Sequence, residues 1–217
     1  QQVHSKVSDL GLLAETAVAA REALDVERIN VVADKGYFAI EDIEASEAGN
    51  AFPIVPRPRR GAAASRNLFI KEQFQYDAMA DHYICPGGQT LPPNGKKQYV
   101  RVGVFEQKYR NYRACKQCPL KPRCTESEAR TVSRYENEEV LERMAERLAA
   151  RPEALNLRRE TVEHPFGSIK QWMGQGAFLT RRLDNVRGEF SLTALAYNIR
   201  RAITLVGIPT LIEAVQP

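Results

Sequence analysis

No apolar run in the 217 residues approaches the roughly 20 that a helix needs to cross a membrane, so the chain is read as having no membrane partner. The opening residues, QQVHSKVSD, hold neither an initiator Met nor the apolar stretch of a signal peptide, and the chain is expected to begin inside a longer protein. No internal repeat and no low-complexity tract is visible. What remains is ordinary for a folded protein: 43% hydrophobic and 27% charged residues, enough for one sizeable domain or a domain with a smaller insertion.

Excess positive charge is absent outside one segment. Residues 57–123 hold fourteen Lys/Arg against four Asp/Glu, and the rest of the chain holds seventeen against twenty-three. Such concentration points to a polyanionic partner more strongly than the overall +4 does. A solvated loop that happens to be Lys/Arg-rich is the plainer reading.

Ahead of that segment the pattern is α/β. Residues 8–24 carry Leu12, Leu13, Ala17, Ala20 and Leu24 at helical spacing, with Ser8 or Asp9 as cap. Ile29, Val31 and Val32 predict a short buried strand over 28–33, ending at Asp34. FAIEDIEASEAGN predicts a helix over 39–48 stopped by Gly49, and AFPIVP a second strand. Helix, strand, helix, strand at these lengths implies a parallel strand pair. RPRRGAAASRN then reads as a linker or mobile loop, followed by irregular, basic, aromatic sequence with short strands expected at 81–85 and 97–105. Helices return near 136. Val140, Leu141, Met144 and Leu148 share one face, a further helix opens near Pro152, and Leu195, Ile199, Ala202, Ile203 and Val206 follow helical spacing.

Two constellations carry chemistry. Asp34, where an apolar strand meets a Gly-containing loop, is well placed to hold a divalent metal, although Asp before Lys-Gly is also plain turn chemistry. Downstream, RRETVEHPFGSIK sets Arg159, Glu163 and Lys170 within about 40° of one another on a regular helix. That is a surface salt-bridge pattern or a carboxylate between phosphate-holding cations. Glu160 is the rival carboxylate, and Pro165 is expected to bend the helix. His164 reads as a packing residue or one that supports or binds a metal, Trp172 and Met173 as packing against the next helix rather than stacking on a base, and Arg187, Arg200 and Arg201 as solvent-facing or tracking a phosphate backbone.

The cysteines form the second constellation. Cys85 stands in YICPGG, and Cys115, Cys118 and Cys124 in ACKQCPLKPRC, a spacing compatible with structural Cys₄ zinc; free thiols and disulfides are the alternatives. Around them Lys96, Lys97, Tyr99, Arg101, Lys108, Tyr109, Arg110, Tyr112 and Arg113 suit a phosphate-tracking surface with rings for stacking, or else the tyrosines are the small core of this segment.

ADKGYF after a strand, followed far downstream by Arg159-x3-Glu163-x6-Lys170 and by EHPFGSIKQWMG and FLTRRLDNVRGEFSLTALAYNIRR, resembles the DDE transposases of bacterial insertion sequences, in the branch with a cysteine-bearing insertion. The resemblance implies a partial RNase H-like α/β fold. Residues 1–57 would be the first part of its catalytic domain, 58–130 a basic zinc-ribbon-like insertion, and 131–217 a helical second part. It implies Asp34 and Glu163 as catalytic carboxylates for Mg²⁺ or Mn²⁺, Arg159 and Lys170 on DNA phosphates, and Cys85, Cys115, Cys118 and Cys124 on structural Zn²⁺. The activity implied is metal-dependent DNA cleavage and strand transfer in transposition. The partners implied are double-stranded DNA, as transposon ends and target, and further copies of the chain on that DNA, in a bacterial cytoplasm at the nucleoid. Asn156 stands where the family's signature has Tyr, and QQVHSKV holds no carboxylate to serve as the family's first Asp. A carboxyl-terminal portion, inactive alone, is therefore expected. The alternatives are a non-catalytic DNA-binding remnant and an RNase H-like metal nuclease.

Overall fold

The computed structural model describes residues 3–4, 8–58, 65–101 and 104–215; part of the expected linker at 57–67 lies outside the described residues. The chain divides into two compact units, Leu10–Arg151, and Gln1–Asp9 with Pro152–Pro217.

The first unit is mixed α/β. Helix α1 (Leu13–Ala23), strand β1 (Ile29–Val32), helix α2 (Ile40–Ala48) and strand β2 (Ala51–Ile54) follow in the expected order. β1 and β2 pair in parallel, Ile29 opposite Ala51 and Val32 opposite Ile54, with α2 as the crossover such pairing requires. The cap of α1 differs from expectation. Leu12, not Ser8 or Asp9, is the N-cap residue and makes no side-chain cap bond. The backbone N–H groups of Leu13 and Ala14 instead donate to the Asp42 carboxylate of α2 at 2.8 and 2.9 Å. A carboxylate buried between two helices thus satisfies donors that every helix start leaves open. The helices approach closely: a Cβ on Gly49 would stand 2.5 Å from Val18 Cγ2, so Gly49 permits the packing as well as ending α2.

The cysteine-bearing segment builds two small antiparallel sheets. One runs β3 (Gln75–Asp77), β4 (His82–Ile84), β5 (Thr90–Leu91); the other β6 (Gln98–Arg101), β7 (Val104–Tyr109), β8 (Val132–Tyr135). Helix α3 (Tyr112–Lys116) lies between β7 and β8 in sequence, and α4 (Glu138–Ala150) follows β8. Two cores result. Leu13, Ile43, Val55 and Val104 meet the expected face of α4, with Val140, Leu141 and Met144 buried and Leu148 partly exposed. Phe74, Tyr83, Leu91, Tyr109 and Val132 close the second, with Cys85 and Cys124 packed against it.

An ion cluster ties these parts together. The Glu138 side chain is 2% exposed, accepts the Tyr135 N–H at 3.0 Å, and pairs with Lys71 at 2.6 Å and Arg57 at 3.2 Å. Burial pushes its carboxyl up, but the Lys71 ammonium, the Tyr135 N–H and Arg57 outweigh that and hold it below the ordinary value. Burial pulls Lys71 below its ordinary value, with Glu138 offsetting part of the effect.

The second unit is helical among its described residues. α5 (Ala154–Arg158) leads into a π-helical turn, Arg159–Glu163, then α6 (His164–Gly167) and a second π turn, Ser168–Trp172. Gly174, at φ +68, breaks the run, as a left-handed glycine does after a helix. α7 (Leu183–Val206) and α8 (Ile208–Val215) follow, separated by Gly207 at φ +80. No helix among the described residues is long and apolar enough to cross a membrane.

Candidate functional site

Asp34 is placed by the end of β1. The Ala33 N–H still bonds the Ile54 carbonyl at 3.2 Å, and Asp34 is the next residue, beyond the ladder. Its Oδ1 accepts the Gly36 N–H at 2.7 Å, capping the 3₁₀ turn Lys35–Tyr37. The turn role is therefore real, and so is the position outside a strand's carboxyl end, where open α/β sheets gather functional groups. In the segments that follow β1 and β2, Phe38, Ile40, Arg57 and Pro58 join Arg101 and Tyr135 in lining a cleft of about 330 Å³. Its two arginines are paired, Arg57 with Glu138 and Arg101 with Glu41 at 2.5 and 3.0 Å. Sequence reasoning left Arg57 in the linker; the signal that could have found it was VPRPRRG directly after a parallel strand.

Arg159, Glu163 and Lys170 stand in the second unit, all exposed. Arg159 opens the first π turn, Glu163 closes it, and Lys170 lies in the second. Hydrogen bonds in a π turn span one residue more than in an α-helix, so the regular wheel expected from sequence does not hold. Pro165 supplies the reason. It has no N–H for the Thr161 carbonyl, and its ring crowds that oxygen, so the ladder widens just before it. The Thr161 hydroxyl donates to the carbonyls of Leu157 at 2.8 Å and Arg158 at 3.2 Å, adding donors where the ladder opens. The cation facing Glu163 in an ion pair is Arg158 at 3.9 Å, a residue sequence reasoning passed over. Glu163 itself is 62% exposed, and Glu160 is exposed in the same turn. Trp172, expected to pack against the next helix, is 77% exposed.

A further carboxylate was missed. Glu189 on α7 accepts the N–H groups of Leu179 and Thr180, both at 2.9 Å, the Thr180 hydroxyl at 2.7 Å and the Gln175 amide at 3.3 Å. The Leu179 N–H, then the Thr180 hydroxyl and N–H, pull its carboxyl down to about 2. It organises the loop before α7, and only the folded loop brings those donors to it.

The four cysteines are free thiols, each half-buried. A Cβ on Gly87 would lie 3.6 Å from Cys85 Sγ and 4.0 Å from Cys118 Sγ. Burial pushes the Cys124 thiol up; Arg130 opposes this, and the neighbouring Cys115, Cys85 and Cys118 add to it. Among the described residues no three His, Cys, Asp or Glu side chains converge as a metal-holding group. The two readings of the basic, aromatic surface divide residue by residue. Tyr109 is core, its hydroxyl donating to Asp81 at 2.7 Å beside the Tyr76 hydroxyl at 2.8 Å. Tyr99 and Tyr112 are exposed.

The family model described as the transposase DDE domain matches residues 84–203, more than half of the chain. Arg159, Glu163, Lys170 and all four cysteines lie within the match, and Asp34 lies before it. No curated protein and no solved structure matches the chain.

Proposed function

Since the chain belongs to the transposase DDE domain family, we propose that it serves metal-dependent cleavage and strand transfer of DNA, with Asp34 and Glu163 each a metal-holding carboxylate. The observation that carries this reading is the family match across an exposed Glu163 paired with Arg158, with exposed Arg159 and Lys170 in the same helical run. The fold is read as partly RNase H-like, with residues 1–57 and 131–217 as the parts of the catalytic domain and 58–130 as its insertion.

The donor chemistry fits. Carboxylate oxygens suit Mg²⁺ or Mn²⁺, which keep several waters and need few protein ligands. When bound, such ions lower the charge barrier to in-line attack on a phosphodiester by water or a 3′-hydroxyl. The protein's own residues do the rest. Arg159 presents a planar fork to phosphate oxygens, Lys170 a point charge, and Arg158 steadies the Glu163 side chain. Double-stranded DNA, as transposon ends and target, is the partner, met by several copies of the chain in a bacterial cytoplasm.

Cysteine thiolates are the ligand type that structural Zn²⁺ takes, and binding would have to draw the four together, since among the described residues no three converge. Burial makes the Cys124 thiolate costly, and a bound divalent cation would offset that cost.

Ferrous iron substituted for Mg²⁺, with ascorbate and peroxide, cuts a polypeptide beside its metal ligands and needs no catalytic turnover. Cuts near residues 34 and 163, competed by Mg²⁺ and lost respectively in Asp34→Asn and Glu163→Gln, are expected. Uncut or randomly cut chains that still shift duplex DNA on a gel would leave a non-catalytic DNA-binding protein instead. In the same preparation, elemental analysis is expected to find one zinc per chain, falling to none in Cys118→Ala.

A further inference from the structure

Within the second unit, His164, Ser168 and Trp172 of the run that carries Glu163 face Tyr197, Arg200 and Arg201 of α7 across a groove of about 270 Å³. Among the described residues no carboxylate lines it. Arg200 and Arg201 are exposed and make no ion pair with a carboxylate among the described residues. Trp172, the chain's one tryptophan, stands 77% exposed at its edge.

We infer that this groove takes one unpaired nucleotide of a DNA strand, its base against Trp172 and Tyr197 and its phosphate on Arg200 and Arg201. Two adjacent guanidiniums with no carboxylate partner among the described residues make a concave site that favours an anion with several oxygens, which a planar fork binds well. A large, flat, exposed ring beside them offers what a base offers in return, since stacking on aromatic side chains is tolerant of sequence. The groove holds a base with its phosphate but not a duplex, whose bases are reached only edge-on from its own grooves. His164, a lining residue, directly follows Glu163, so a strand seated here passes beside that carboxylate. The inference rests on the DNA-processing reading and narrows it to a strand end or frayed base pair.

Fluorescence from Trp172 reports on the groove alone, and a gel shift reports DNA binding by the whole chain. Titration with an eight-nucleotide oligothymidylate is expected to quench Trp172 saturably, whereas a blunt duplex and inorganic phosphate leave it unchanged. The Arg200→Ala/Arg201→Ala variant, with an unaltered melting curve, is expected to bind the single strand about tenfold more weakly, and Arg→Lys at both positions to recover part of the loss. Shifted DNA with unchanged Trp172 fluorescence, or equal quenching in the double variant, would overturn the groove assignment and leave DNA binding standing. Equal quenching by the duplex would overturn the preference for an unpaired nucleotide. Absence of both quenching and shift would overturn the groove and the DNA-processing reading together.

Discussion

The two compact units differ in where they put their apolar side chains. In Leu10–Arg151, Ile43, Ile54, Val55 and Val104 are sealed from solvent, and even charged groups are drawn inward as the Glu138 cluster. In the second unit α7 buries none of its residues: Leu195 is 56% exposed, and Leu192, Ile199 and Val206 are exposed with it. A helix is normally stabilised by covering its apolar face, and α7 leaves that face exposed among the described residues. The lesson is one of division. The first unit spends its charged residues on holding itself together, through Glu138 with Lys71 and Arg57, Glu47 with Arg143 and Arg147, and Asp42 on α1. The second leaves Arg159, Lys170, Arg200 and Arg201 at the surface, where a polyanion can reach them.

Breaking the Glu138 cluster is the strongest test of that contrast. Glu138→Gln leaves two cations facing a neutral amide and is expected to cost about 3 kcal/mol in urea unfolding, as removing one partner of a buried pair does. The pH dependence follows in sign. A carboxyl held below its unfolded value contributes stability above that value, and the contribution is lost as pH falls through the lower, folded one. Stability of the native protein should therefore decline on acidification from about pH 4.5, with a smaller decline in the variant.

In the second unit the corresponding acid effect is local. Glu189, pulled down to about 2, keeps its grip on Leu179 and Thr180 until the pH nears that value, so those two amides should lose protection from hydrogen exchange only in strong acid. Glu189→Gln should expose them already at neutral pH, without shifting the main unfolding transition.

The smallest effect sharpens the comparison most. Leu195→Ser on the exposed face of α7 should change stability by less than about 0.5 kcal/mol, as surface substitutions do. A loss of several kcal/mol would mean that this face is covered in solution, and the contrast between the units would fall.

Much of the secondary structure could be read from local pattern. The β-branched run before Asp34, the helix ended by Gly49, and the stripe at Val140, Leu141 and Met144 each formed where spacing placed them. The short strands at 81–85 and 97–105 also formed, the latter as two, β6 and β7. The site residues are less local. The position of Asp34 at the end of its strand reads from the sequence, whereas the regular helical spacing expected of Arg159, Glu163 and Lys170 did not form. The π turn at Arg159–Glu163 follows from Pro165 acting on the Thr161 carbonyl, which a wheel of regular turns omits.

By itself the sequence determined most of the helix and strand segments, the parallel order of the first strand pair and the basic character of residues 57–123. These depend on neighbours a few residues apart. Only the tertiary structure decided that Asp42 caps α1, that Glu138 takes Lys71 and Arg57 as partners, that Tyr109 is core while Tyr99 is surface, and that Trp172 shares a groove with Arg200 and Arg201. Most of those pairings join residues distant in sequence, and their energies depend on burial, which no local pattern records.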